Sequence, residues 1–267
     1  MKNILNKILE NKKKRINIYK KENPENKIIN NIKNVKNFID FKDKLKKSDS
    51  NKKISIIAEI KKASPSAGVL VENFNHLNIA RLYVENGASF LSVLTEEDFF
   101  QGKMEFIQNI KENFKIPVLC KDFFIDTYQV LQAKSYGADC ILIILSAVDK
   151  MLAKDLYQTA KELNISTLVE VHSKNEAEIA LSFEDSLIGI NNRNLQTLEI
   201  SLNTSIELSK ILSSHKNPII CESGINTTEN IKFIVKNAKI YSFLIGESLL
   251  KSDNIGTKLK EFAEITL

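Results

Sequence analysis

NGASFLSVLT, residues 86–95, and YGADCILIIL, residues 136–145, are two copies of one pattern: glycine, alanine, a polar residue and then an apolar run. In each copy an amphipathic segment leads into the glycine, LNIARLYVEN before Gly87 and YQVLQAKSYG up to Gly137. A glycine there takes the positive φ that ends a helix, and the run after it has the length and composition of a strand. The runs are continuously apolar rather than alternating. That pattern belongs to a sheet buried on both faces, and hence to a parallel one.

The same unit recurs along the chain. Strand-like runs fall at Ile54–Ile60, Phe90–Leu94, Pro117–Cys120, Cys140–Leu145, Thr167–Val171, Leu187–Ile190, Pro218–Cys221 and Phe243–Ile245, with segments of helical period between them and after the last. Eight such units predict an α/β fold, a closed (β/α)8 TIM barrel, and a chain of 267 residues suits one barrel of roughly 250. No GxGxxG follows the first run, which weighs against a dinucleotide fold. Residues 1–53 precede the barrel. Ile4, Leu5, Ile8 and Leu9 form a helical stripe, and Val35, Phe38, Ile39 and Leu45 predict further helix. The expected organisation is an N-terminal helical extension (1–53) packed on the barrel (54–267), together one structural domain.

Charge divides at the same place. Residues 1–53 hold 17 Lys/Arg against 6 Asp/Glu, a balance of +11, whereas the remaining 214 residues hold 21 against 27, a balance of −6. The basic segment is lysine scattered among Asn and Ile without aromatic interleaving, so it reads as a solvated surface and no nucleic acid is expected. No stretch approaches the ~20 apolar residues of a membrane span. The start MKNILNKILENKKKR lacks the apolar core of a secretion signal. Cys120, Cys140 and Cys221 are odd in number and without metal-ligand spacing, which fits reduced thiols, a cytoplasmic location, no metal and no cofactor.

Barrel enzymes place their sites at the C-terminal ends of the strands. Here those ends read Glu59 and Lys61; Thr95; Lys121 and Asp122; Ser146; Glu170 and His172; Asn191 and Arg193; Glu222, Ser223 and Gly224; Gly246 and Glu247. Charges converging in a low-dielectric mouth are costly unless paired or used. A ring of structural salt bridges is one reading; two lysines, four glutamates, an amide and an arginine fit acid–base chemistry with anion binding better. Glu222-Ser223-Gly224-Ile225 and Ile245-Gly246-Glu247-Ser248 put glycines on consecutive strands ahead of helices, the usual place of a barrel phosphate site. The first loop, Lys61 to Gly68, is cationic and rich in hydroxyls, suited to closing over an anion. His172 either lines the pocket or simply finishes its strand.

The segments IIAEIKKASPSAG (56–68), SVLTEEDFFQG (92–102), PVLCKDFFID (117–126), TLVEVH (167–172), IGINNRNL (188–195), CESGI (221–225) and FLIGESLL (243–250) together resemble the indole-3-glycerol phosphate synthase family. The resemblance implies a carboxy-lyase of L-tryptophan biosynthesis acting on 1-(2-carboxyphenylamino)-1-deoxyribulose 5-phosphate. It implies Lys121 as general acid toward the ketone oxygen and Glu170 as general base. Lys61 would bind the substrate carboxylate or share in proton transfer, and Glu59 and Asn191 would orient these groups. Ser64, Gly224, Gly246 and Glu247 would hold the phosphate, with Arg193, Glu222 and Ser223 lining the same pocket. Phe100, Phe123, Leu142, Leu195 and Leu244 would hold the aromatic ring. The sequence departs from the family in SFEDS before the sixth strand, in Asn194 and in Cys120, none of which removes a proposed catalytic group. The partner expected is one phosphorylated small molecule, with the chain a monomer or a homodimer. The rival readings are another sugar-phosphate barrel, such as an aldolase forming an imine on Lys121, and a silent barrel that only binds its ligand.

Overall fold

The computed structural model describes residues 4–194 and 197–266. Eight strands form the barrel: β1 (Ser55–Ile60), β2 (Phe90–Leu94), β3 (Val118–Lys121), β4 (Cys140–Ile144), β5 (Ser166–Val171), β6 (Leu187–Asn191), β7 (Ile219–Glu222) and β8 (Ser242–Ile245). Each pairs in parallel with its neighbour, and β8 returns to β1 with Ser55 opposite Ser242, so the sheet is closed. The two glycines that opened the reading have φ of 98° at Gly87 and 89° at Gly137. In both turns the alanine after the glycine donates its N–H to a carbonyl five residues back, Ala88 to Tyr83 and Ala138 to Ala133. That is one helix-ending bond used twice.

Alternate strand residues serve two cores. Ile57, Phe90, Leu119, Leu142, Leu168 and Leu187 belong to the barrel interior, while Ile56, Leu91, Val118, Ile141 and Val169 pack with the surrounding helices. Phe41 and Leu45, both fully buried, join the interior cluster. They lie on α3 (Phe41–Ser50), after α1 (Ile4–Glu22) and α2 (Glu25–Ile32). The Phe41 ring sits 4.5 Å from that of Phe90, at the first residue of β2, and Lys42 N–H donates to Ser166 Oγ at the start of β5. α3 therefore stops the N-terminal end of the barrel.

α1 lies at the opposite end, fastened to the loops after β2 and β3. Lys12 reaches Asp122 at 2.8 Å with both side chains buried, Arg15 pairs with Glu97 and Asp98, and Lys20 pairs with Asp126. Its buried face is Ile8, Lys12 and Ile16, one residue per turn.

The expectation of helix around Val35, Phe38 and Ile39 is wrong. These residues form an irregular connection between α2 and α3, and of the four only Leu45 is helical. Ile39 N–H donates to the Asp139 side chain rather than to a helical carbonyl, and the helix begins only where Asp40 caps it by accepting from Asp43 N–H. Phe38 finds its place beneath Lys134, whose Nζ is 3.6 Å from the ring centroid.

Candidate active site

Where the strands end, the interior turns from apolar to charged. Lys121 Nζ lies 2.8 Å from Glu222 Oε2 and 3.4 Å from Glu170 Oε2, joining β3 to β7 and β5 across the mouth. Asn191 Nδ2 donates to Glu170 Oε1 at 3.2 Å, and Asn191 Oδ1 accepts from Ser223 Oγ and from Arg193 N–H. Lys61 Nζ is 2.5 Å from Glu59 Oε1. The strand-end groups thus form a hydrogen-bonded set around Lys121 and a separate Lys61–Glu59 pair, which feels the charge of Lys121.

Two glycines make space for it. A Cβ on Gly189 would lie 2.0 Å from Glu222 Oε1, and one on Gly246 would lie 2.5 Å from Glu59 Oε1. Gly189 stands beside Glu170 in register and Gly246 follows β8, so each carboxylate occupies the room its neighbouring strand leaves open.

The charges settle unequally. Burial opposes the Lys121 ammonium, but Glu222, Glu170 and Glu59 outweigh it and hold its pKa above the usual lysine range. Burial likewise opposes ionised Glu170, and Lys121 with His172 overcomes it, keeping this carboxyl well below its ordinary range. Glu59 is lowered against burial by Lys61 and Lys121. Glu222 goes the other way: burial, reinforced by Glu170, outweighs Lys121 and pushes it up to about 7. Its Oε1 is buried without a hydrogen-bond partner. Glu170 and Glu222 share one ammonium and titrate as a pair.

Above the ring lies a cavity of about 580 Å³. Every residue to which the family resemblance gave a role lines it except Leu195, which lies outside the described residues; of the other strand-end residues, Thr95, Ser146 and His172 do not. One wall is apolar, with Phe100, Phe123, Leu142 and Leu244; the rings of Phe100 and Phe123 are 6.2 Å apart. The opposite side is the β7 and β8 loops. There Ser223 and Gly224 have φ of 64° and 87°, Arg193 Nη2 is 3.2 Å from Glu247 Oε2, and Ser248 Oγ donates to Ile225 O, tying the loops together. The first loop is a tight hairpin in which Ala63–Ser64 pairs with Gly68–Val69 and Ser64 Oγ accepts from Ala67 N–H.

Some expectations need correction. Gly246, expected only to admit the phosphate, has an ordinary φ of −131°, and its missing side chain makes room for Glu59. The helix after it, Glu247–Leu250, has four residues, and the one after Gly224 starts only at Thr228. Helix dipoles thus contribute less at this end than the motif promised. His172 does not line the cavity but stands behind Glu170.

Sequence reading missed four contributors. Ile4, Leu5 and Ile8 of α1 form part of the wall, as do Leu198 and Ile200, and Lys251 pairs with Glu247 at 2.6 Å. Glu96 is fully buried and accepts N–H bonds from Asp98, Phe99 and Phe100, fixing the loop that carries Phe100. Its signal was a second acidic residue beside Glu97 directly after an apolar strand.

Fold and site define a (β/α)8-barrel enzyme with acid–base groups facing an apolar wall and polar loops at the far side. The family model for indole-3-glycerol phosphate synthase matches residues 5–262, and the chain belongs to that family. An indole-3-glycerol phosphate synthase of Alkaliphilus metalliredigens is 41% identical over 97% of both chains. One of Legionella pneumophila (strain Lens) is 47% identical over 79% of this chain and 81% of its own. Among solved structures, the tryptophan synthase alpha subunit of Legionella pneumophila has a TM-score of 0.61 at 13% identity, over 83% of this chain and 96% of that one. N-(5'-phosphoribosyl)anthranilate isomerase of Pyrococcus furiosus has a TM-score of 0.55 at 18%, over 79% and 96%. These last two share the fold.

Proposed function

We propose that this ring closes an indole, with Lys121 as the acid and Glu170 as the base. As a member of its family, the chain acts in L-tryptophan biosynthesis as a carboxy-lyase, converting 1-(2-carboxyphenylamino)-1-deoxyribulose 5-phosphate to indole-3-glycerol phosphate, carbon dioxide and water. The observation that carries the residue roles is the single ammonium of Lys121, held by two carboxylates beside an apolar wall.

In the first step the electron-rich ring carbon attacks the ketone carbon. The C=O pair moves to oxygen, which takes the Lys121 proton as it becomes alkoxide, while the aryl nitrogen becomes an iminium. The alkoxide is more basic than the ammonium, so transfer is downhill even from a lysine of raised pKa. The C–CO2 bond then breaks, and its electrons neutralise the iminium, so the substrate itself serves as the electron sink. Finally the hydroxyl leaves as water on a proton from the ring's lysines, and Glu170 removes a proton from the neighbouring carbon. Lys61, steadied by Glu59, faces the substrate carboxylate; Asn191 orients Glu170; and Phe100, Phe123, Leu142 and Leu244 clasp the aromatic ring. Ser64, Arg193, Ser223, Gly224, Gly246 and Glu247 receive the phosphate end. Anchoring at that remote end helps hold the reacting carbons together.

The test is to incubate the protein with the carboxyphenylamino-deoxyribulose phosphate and follow indole fluorescence. Fluorescence that grows in wild type and vanishes in Lys121→Ala supports the reading; covalent trapping by borohydride would favour an imine-forming aldolase and overturn it. The buried thiols Cys120, Cys140 and Cys221 support a reducing, cytoplasmic setting. Among the described residues no helix is long and apolar enough to cross a membrane. The anchoring of α1 and α3 at opposite ends of the barrel supports treating 1–53 and 54–267 as one structural domain.

A further inference from the structure

His172 lies behind the ring, outside the cavity, and none of the roles above uses it. Its Nε2 is 3.2 Å from Glu170 Oε1, and its Nδ1 is 3.3 Å from Glu176 Oε2. Glu176 is held in turn. It sits in the first turn of the helix Lys174–Ala180, which Ser173 caps, and its Oε2 also accepts the backbone N–H of His172 at 2.7 Å. The imidazole is therefore fixed from both sides by residues two before and four after it. Its side chain is 11% exposed and that of Glu170 3%, so water screens the pair weakly.

A neutral imidazole has one N–H and one lone pair. Between two carboxylates, one of its nitrogens would turn a lone pair toward an anion. Nδ1 is hydrogen-bonded to Glu176, whereas Nε2 lies within ion-pair reach of Glu170 without a hydrogen bond, so it is the positive charge of the imidazolium that serves both carboxylates.

We propose that His172 is the positioning residue of the base, a permanent cation clamped by Glu176 that fixes Glu170 Oε1 and leaves Oε2 to face the reacting atoms. The proposal rests on Glu170 being the base. Oε1 then feels the charge of His172 from behind and is held by Asn191 from the side, while Oε2 faces Lys121, with the Glu222 carboxyl on the same cavity side. Burial opposes the imidazolium, yet Glu170 and Glu176 outweigh it and lift its pKa up to about 10, so the clamp stays charged at neutral pH. The charged groups around the pair are Lys121, Glu222 and Glu59 on the cavity side of Glu170 and Glu176 on the far side of His172.

The experiment compares kcat and KM across pH for wild type, His172→Gln, Glu176→Gln, Glu170→Gln and the His172→Gln/Glu170→Gln double variant. Without its cation Glu170 binds its proton more tightly. The acid limb of kcat in His172→Gln should move up by roughly one pH unit, with kcat at neutral pH about tenfold lower and KM within about threefold. Glu176→Gln should move the limb the same way by less, and it carries the test if His172→Gln fails to fold. The double variant should be no slower than Glu170→Gln, because the clamp acts only through the base. An unmoved acid limb in the folded variants, or losses that multiply in the double variant, would overturn the proposal. Wild-type turnover in Glu170→Gln would instead overturn the assignment of the base, whereas an inactive Glu170→Gln beside an unshifted His172→Gln would sink the clamp alone.

Discussion

Each end of the barrel holds a buried lysine against a buried carboxylate, and the two are built differently. At the closed end Lys111 Nζ is 2.6 Å from Asp139 Oδ2, and the remaining capacity of Asp139 is taken by N–H groups of Val118 and Ile39. One cation meets one anion, and backbone donors fill what is left. At the open end one ammonium is shared between Glu170 and Glu222, and Glu222 Oε1 has no partner. The closed pair is complete and serves the fold. The open set leaves Glu222 Oε1 without a hydrogen bond, as a site awaiting a ligand should.

This contrast can be broken by substitution. Lys121→Ala should lower kcat by about 10²–10⁴-fold while changing substrate affinity less than about tenfold, measured by steady-state kinetics and product inhibition. Its thermal stability should change little, since carboxylates that border a cavity can take up water or protons. Lys111→Ala should do the reverse. Leaving Asp139 buried without its cation should cost roughly 3–5 kcal/mol of stability in urea unfolding, while kcat per folded molecule is kept. Equal effects of the two variants on stability would erase the distinction.

A subtler probe is Gly246→Ala. Its methyl group would meet Glu59 Oε1 at 2.5 Å and Glu59 Cβ at 2.9 Å, so Glu59 must move and Lys61 with it. We expect kcat to fall by about tenfold or more, as for other misplaced acid–base groups. Comparing inhibition by indole-3-glycerol phosphate and by its dephosphorylated form separates the two uses of this glycine. If wild type and variant discriminate equally, the phosphate does not sit there and the loss belongs to Glu59.

Smaller still is the pH dependence of stability. His172 binds its proton more tightly folded than unfolded, with a folded pKa of about 10 against an ordinary 6.5, so its contribution is present below the lower value and fades as pH rises through the higher. Tm should decline from neutral pH toward 10, and His172→Gln should flatten that decline; an unchanged slope would show that the imidazole is neutral. Dialysis against EDTA is expected to leave activity unchanged, and activity lost and restored by a divalent cation would contradict that.

The barrel and its ring were readable because both depend on contrast along the chain. Runs such as CILIIL can only be strands buried on both faces, and a Lys121 or Glu170 at the end of such a run stands out. Other parts gave no contrast. The stripe Ile4, Leu5, Ile8 and Leu9 shows that α1 has an apolar face but not which surface it covers, so its share in the wall was invisible. Gly246 reads the same whether it admits a ligand or a neighbouring carboxylate, because the deciding atom belongs to Glu59, far away in sequence. Val35 and Ile39 misled because a chain lying along the barrel floor is as apolar as a helix.

That dependence of Gly246 on Glu59 has a consequence for how the enzyme comes into being. The carboxylate comes from the first strand and the space for it from the last, and the two meet only when β8 closes on β1. A growing or refolding chain can form its helices and several strand pairs early, since these are local. The joint between the ends of the barrel is the longest-range contact and is formed at the highest entropic cost. Turnover should therefore return after most of the helical signal does, and a barrel left open at that seam would be well ordered along much of its length yet inert.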